Sequence, residues 1–194
     1  LRHPAVEASW TKPSALPDFS VGGLAAHLAY QTHAVPSVMA EPVPPGDPIP
    51  LIEHYTRAAW IDGDLDSETN RGIRSKGEDW AAVGPAAVAS QVEVALDELR
   101  RVVPGEPADR VVHVARTGWS LTLDDYLVTR LLEIVVHSDD LAVSVGAEPP
   151  DLPGAVTEPV IDLLVRLSLR RHGTTNVLRA LSRAERAPRS IAAI

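Results

Sequence analysis

The sequence predicts an all-α fold: four main helices packed as a bundle, with long loops and one short β-hairpin. Three observations carry this reading. Apolar residues recur at helical spacing through four segments, the two short β-rich runs flank Thr117-Gly118, and prolines and glycines fill the stretches between. With 194 residues, 45% of them hydrophobic and 23% charged, the chain is long enough for one good core and is expected to form a single domain over 1–194.

The chain opens on Leu1-Arg-His-Pro rather than on Met, which suggests an N-terminal helix cut short. Trp10 to Ser20 reads as irregular, with Pro13 and Pro17 as breakers. Ser20 is the expected N-cap of a helix running to about Val35, whose stripe is Leu24, His27, Leu28, Gln31 and Val35. Six prolines between 36 and 50 predict an extended loop. A helix is expected around Ile49–Trp60, then a polar loop from Asp62 to Glu78.

Pro85 suits the first turn of a helix that runs to about Val103, buries Val88, Val92, Ala95, Leu96 and Leu99, and stops at Pro104-Gly105. Val111–Val114 and Trp119–Leu121 predict the hairpin. Thr122 with Asp125 three residues on is a capping signal for the next helix, and Gly146 suits its C-terminal end. Two more helices are expected over about 157–171 and 175–183.

Composition removes several classes of function. The net charge is −8 and the pI near 5.3, with no dense Lys/Arg patch, so nucleic acid is not an expected partner. No apolar run approaches the roughly 18–20 residues that span a bilayer, and no signal peptide is visible, so no membrane partner and a cytoplasmic location are expected. There is no cysteine, which excludes disulfides, thiolate metal sites and a protein thiol nucleophile. Any bound metal must be held by His, Asp or Glu, and any sulfur chemistry must arrive on a small molecule.

The most informative stretch is the helix after Thr122. At 100° per residue, Tyr126, Arg130, Glu133, His137 and Asp140 fall within roughly 80° of one another, while the other faces carry Leu, Ile and Val. Burying such a stripe is costly unless its members pair or coordinate an ion. Glu133 and His137, four apart, can point at one cation or form a buried pair. Arg130 can form an ion pair with Glu133 or face a substrate. A catalytic zinc usually takes three protein ligands and one open position. His27 is the best third candidate, against the alternative of a core histidine bonded to a carbonyl. His3, His33, His54, His113 and His172 read as structural or solvent-exposed. Trp10, Trp60, Trp80 and Trp119 read as core or pocket walls.

Three segments together resemble one family. They are Trp10–Leu28, containing Pro-Asp-Phe-Ser-Val-Gly-Gly-Leu-Ala-Ala-His27-Leu; Leu121–Leu141, containing Arg130-Leu-Leu-Glu133-Ile-Val-Val-His137-Ser-Asp-Asp140; and Val177–Arg186. They are similar to the motifs of the mycothiol-dependent maleylpyruvate isomerase family, within the DinB-like metalloenzymes. The resemblance implies a DinB-like bundle in which His27, Glu133 and His137 bind a divalent metal, usually zinc. It also implies mycothiol as thiol cosubstrate and a small electrophile as substrate. Phe19 stands where the family commonly has Trp. The family's isomerases carry a further C-terminal domain that this chain is not expected to contain, which favours a related thiol S-transferase over the isomerase reaction itself.

Two histidines and one carboxylate around zinc leave a net charge of about +1, which a thiolate in the open position would cancel. Arg130 and Asp140 are the expected catalytic residues, orienting ligands or substrate. A metal-dependent hydrolase and a metal-stabilised binding protein without turnover are the alternatives, and an oligomer is allowed.

Overall fold

The computed structural model describes residues 1–58 and 66–194. Trp60, the end of the helix expected to reach it, and the start of the expected loop at Asp62 lie outside the described residues. The element order is α1 (Pro4–Ala8), α2 (Val21–Ala40), α3 (Leu51–Arg57), α4 (Glu68–Ala81), α5 (Pro85–Val102), β1 (Val111–Val114), β2 (Trp119–Thr122), α6 (Leu123–Val145), α7 (Gly154–His172) and α8 (Thr174–Ser182). The fold is all-α with one small antiparallel hairpin, as the sequence predicts.

Helix α2 lies at the centre, packed against α4, α5 and α6. Ser20 caps it by accepting a hydrogen bond from the Gly23 amide at 2.9 Å. It runs on past the expected end at Val35, through Pro36, to Ala40. Pro36 forfeits one helical hydrogen bond, but Val35 and Val38 are buried with Val112, Val114, Leu121, Leu123 and Tyr126, and that burial holds the last turn. The extended loop is correspondingly shorter, and Ile49 is tied to the hairpin by its N–H donating to the Ser120 carbonyl at 2.9 Å.

Helix α4 corrects the expectation of a loop running to Glu78. Its sequence is polar with two internal glycines, and Ile73, Trp80 and Ala81 are too few apolar residues to announce a helix. Tertiary contacts fold it. The Glu78 carboxylate accepts from the Ser20 N–H at 2.7 Å and from the Ser20 hydroxyl at 2.8 Å, bracing the start of α2. The two helices cross at glycines: a Cβ on Gly77 would sit 2.8 Å from the Gly23 carbonyl oxygen, and one on Gly23 would sit 2.3 Å from Glu78 Oε1 and 2.7 Å from the Phe19 ring. Only glycine permits that approach.

The remaining elements follow their local signals. The hairpin pairs Val112 with Leu121 and Val114 with Trp119, and Gly118 takes the positive φ of its turn. Thr122 accepts from the Asp125 amide at 3.1 Å to open α6, and Gly146 closes it at φ 65°. Helix α7 begins one turn earlier than expected, at Gly154. Val160, Leu163 and Leu167 of α7 form a core cluster with Leu132 of α6 and Leu51 and Tyr55 of α3. No helix among the described residues is long and apolar enough to cross a membrane.

Candidate metal centre

The polar stripe of α6 faces the polar positions of α2. His27 Nε2 lies 3.1 Å from Glu133 Oε2, and His137 Nε2 lies 3.3 Å from the same oxygen. The two imidazole rings meet edge to face with centroids 5.0 Å apart. One donor atom from each of His27, Glu133 and His137 can be chosen so that all lie within 4.8 Å of one another, a grouping able to hold a metal ion. The chemistry of the set suits one. Two bonds of about 2.0–2.1 Å at a tetrahedral angle place their donor atoms roughly 3.3 Å apart, close to the two spacings found here. The three side chains are partly exposed, at 16% for His27 and Glu133 and 21% for His137, so a small molecule can reach them.

Each histidine is backed by a different partner. His137 Nδ1 lies 2.9 Å from Asp140 Oδ2, one turn further along α6, and the carboxylate fixes both ring orientation and tautomer. On α2 the partner is Gln31, wholly buried at 1% exposure. Its amide nitrogen donates to the His27 carbonyl at 2.9 Å and lies 3.4 Å from His27 Nε2. Arg130 reaches across from α6, Nη1 donating to Gln31 Oε1 at 2.6 Å and Nε to Thr129 Oγ1 at 3.1 Å, with its guanidinium over the Tyr126 ring. Arg130 therefore makes no ion pair with Glu133 among the described residues. Phe19 walls the site with its ring 6.1 Å from that of His27.

The electrostatics express this packing. Burial by itself would raise the Glu133 carboxyl, yet hydrogen bonds from His137 and His27 and the charge of Arg130 hold it well below the usual carboxylate range. Burial opposes a charge on His137, but its bonds to Asp140 and Glu133 outweigh burial and push it up to about 9. Glu133 is thus held as an anion, and the His137 imidazolium is its cationic partner when no metal is bound.

The other histidines have structural partners. His3 caps α1, His33 packs against Trp80 with centroids 4.9 Å apart, His113 Nδ1 lies 3.4 Å from the Ser120 hydroxyl, and His172 lies 2.8 Å from the Ala192 carbonyl. His54 is structural and buried, its Nδ1 accepting from Trp119 Nε1 at 3.0 Å. Trp10 Nε1 bonds the Ala81 carbonyl and joins α1 to α4. An open cleft lined by Val135, Ser138, Asp139 and Pro149, and an apolar one between α7 and α8, include no residue of the ion-holding group.

Residues 1–142 match the family model of the mycothiol maleylpyruvate isomerase N-terminal domain. The chain belongs to this family. No curated protein and no solved structure matches it. The match with the mycothiol maleylpyruvate isomerase N-terminal domain ends at Ala142, two residues past Asp140, so every residue of the centre lies inside it and α7 and α8 lie beyond it. Sequence reasoning missed Gln31 as part of the centre. A glutamine four residues after His27, on an otherwise apolar stripe, was the available signal.

Proposed function

We propose that this chain is a divalent-metal enzyme, with zinc as the metal, that presents a low-molecular-weight thiol to a small electrophile as an S-transferase or a thiol-assisted isomerase. Family membership supports mycothiol as the thiol. The convergence of His27 and His137 on a single Glu133 oxygen carries the metal reading. We take residues 1–194 as one helical-bundle domain serving this centre.

His27, Glu133 and His137 would hold the ion. Bound there, a divalent cation would favour the thiolate form of a thiol whose free pKa is near 8.5, and so supply a nucleophile at neutral pH. Asp140 accepts the Nδ1 hydrogen of His137 and keeps Nε2 aimed inward. Arg130 acts on the centre through Gln31 rather than by touching substrate. Phe19, just before α2, restricts water beside His27. The thiol sulfur would form a bond to an electrophilic carbon, and the thiol proton passes to solvent. In a transfer, that carbon's bond to a leaving group breaks and the group departs with the electron pair. In an isomerisation, the sulfur adds to a C=C bond and is later expelled as thiolate.

The test is elemental analysis of protein purified without added metal, followed by thiol-adduct formation with and without a chelator. Stoichiometric zinc and adducts formed only in its presence are expected. Turnover of an ester without thiol would instead favour a hydrolase, and absence of any bound metal would sink the reading.

A further inference from the structure

Gln31 has no place among the three candidate ion-holding side chains, yet it is a polar group almost wholly buried beside them. Its orientation is set from both ends. Arg130 Nη1 donates to its oxygen at 2.6 Å, so the amide cannot be flipped without placing an NH2 group against a guanidinium. The nitrogen therefore faces His27. One of its hydrogens goes to the His27 carbonyl at 2.9 Å, and the other points toward His27 Nε2, 3.4 Å away.

His27 Nε2 directs its own hydrogen at Glu133 Oε2, 3.1 Å away, so it offers that second Gln31 hydrogen no free lone pair. A cation held by the ring nitrogen would take up the lone pair that replaces that hydrogen, so the Gln31 N–H would still lack an acceptor. An N–H is also unfavourable against a bare cation. Both conflicts vanish if an anion occupies the open position next to the cation, because the amide hydrogen then has an acceptor and the cation a counter-charge.

We propose that Gln31 is a hydrogen-bond donor to the anion, thiolate or hydroxide, that completes the centre, with Arg130 as the positioning residue that fixes the amide's direction. This rests on the metal reading above and deepens it. The site would favour thiolate over neutral thiol not only through the cation but also through a fixed dipole on the α2 side. The Arg130 charge polarises that dipole further.

The experiment uses cobalt(II)-substituted full-length protein titrated with 2-mercaptoethanol, following the thiolate-to-metal absorption in the near ultraviolet. Gln31→Met keeps size and removes the donor. The variant is expected still to take up one cobalt per chain at saturating cobalt, while thiolate affinity of the loaded protein falls about tenfold and the apparent pKa for thiolate formation rises by about one unit, the equivalent of tenfold. Thiolate binding unchanged in Gln31→Met, with cobalt intact, overturns the role of Gln31 and leaves the metal reading standing. Failure of wild type to bind cobalt overturns both. Should Gln31→Met not fold, the zinc-loaded wild type decides. Its Gln31 side-chain 15N–H2 signal is expected to move on adding 2-mercaptoethanol and not on adding ethanol, and an unmoved signal refutes the proposal.

Discussion

The two walls of the centre are built differently. On α6, Glu133, His137 and Asp140 lie at spacings of four and three along one helix, so a single regular element sets their mutual geometry. On α2, His27 depends on contacts made across helices: Arg130 from α6 holds Gln31, and α4 braces the start of α2 through Glu78. The α6 wall has a carboxylate behind its imidazole, whereas on α2 the group behind the imidazole is the uncharged Gln31 amide. The difference teaches that local spacing can place two ligands cheaply, while the third depends on the whole packing of the bundle.

The largest effect should come from removing the oxygen both walls share. Glu133→Ala is expected to abolish stoichiometric zinc, and elemental analysis retaining one metal per chain would show that the walls do not meet on an ion. His137→Ala should do the same. Loosening only the ionic support comes next: Asp140→Asn should weaken zinc by roughly 10–100-fold in competition with a chromophoric chelator, as loss of a carboxylate behind a ligating histidine commonly does. An unchanged affinity would mean that α6 aims His137 without help.

A further contrast separates two histidines, the partly exposed His137 pushed up to about 9 and the buried His54 pushed down to about 4, the latter chiefly by burial and then by the charges of Arg130 and Arg116. Because its folded value lies below the unfolded 6.5, neutral His54 contributes stability that is fully present above pH 6.5 and lost as pH falls toward 4. Urea unfolding between these limits should show a loss of roughly 2–3 kcal/mol, and His54→Gln should flatten that acid limb. In metal-free protein His137 has the opposite sign. Its contribution is present below pH 6.5 and fades as pH rises through about 9. The smallest effect is expected at His113 in the hairpin: His113→Ala should leave metal content intact and shift stability by about 1 kcal/mol or less, and any loss of zinc would redirect the assignment of the third ligand.

Most of α2, α5, α6 and the hairpin was legible because local chemistry announces them: Ser20 and Thr122 as caps, Pro85 in a first turn, Gly146 and Gly118 at positive φ. The α6 stripe was legible for the same reason, since a polar row on an apolar helix needs a purpose. Helix α4 was not, because its stability comes from Gly77 and Glu78 meeting α2 rather than from its own pattern. The extension through Pro36 was hidden likewise, as proline is a local signal that burial of Val38 overrides. Within the centre, His27 could be suspected but not placed, and the link from Arg130 to Gln31 spans 99 residues that no periodicity connects.

The glycine crossing of α2 and α4 gives the centre a remote adjustment. Gly23 lies one turn before His27, and a methyl group there has nowhere to go but into Glu78 and Phe19. Any relief would come from tilting the α2 rod, swinging one imidazole outward while the opposite pair stays seated. How tightly the proposed centre would grip a cation can thus be retuned by a mutation that never touches it, and a variant found to be metal-poor with His27, Glu133 and His137 intact should be inspected first at this crossing.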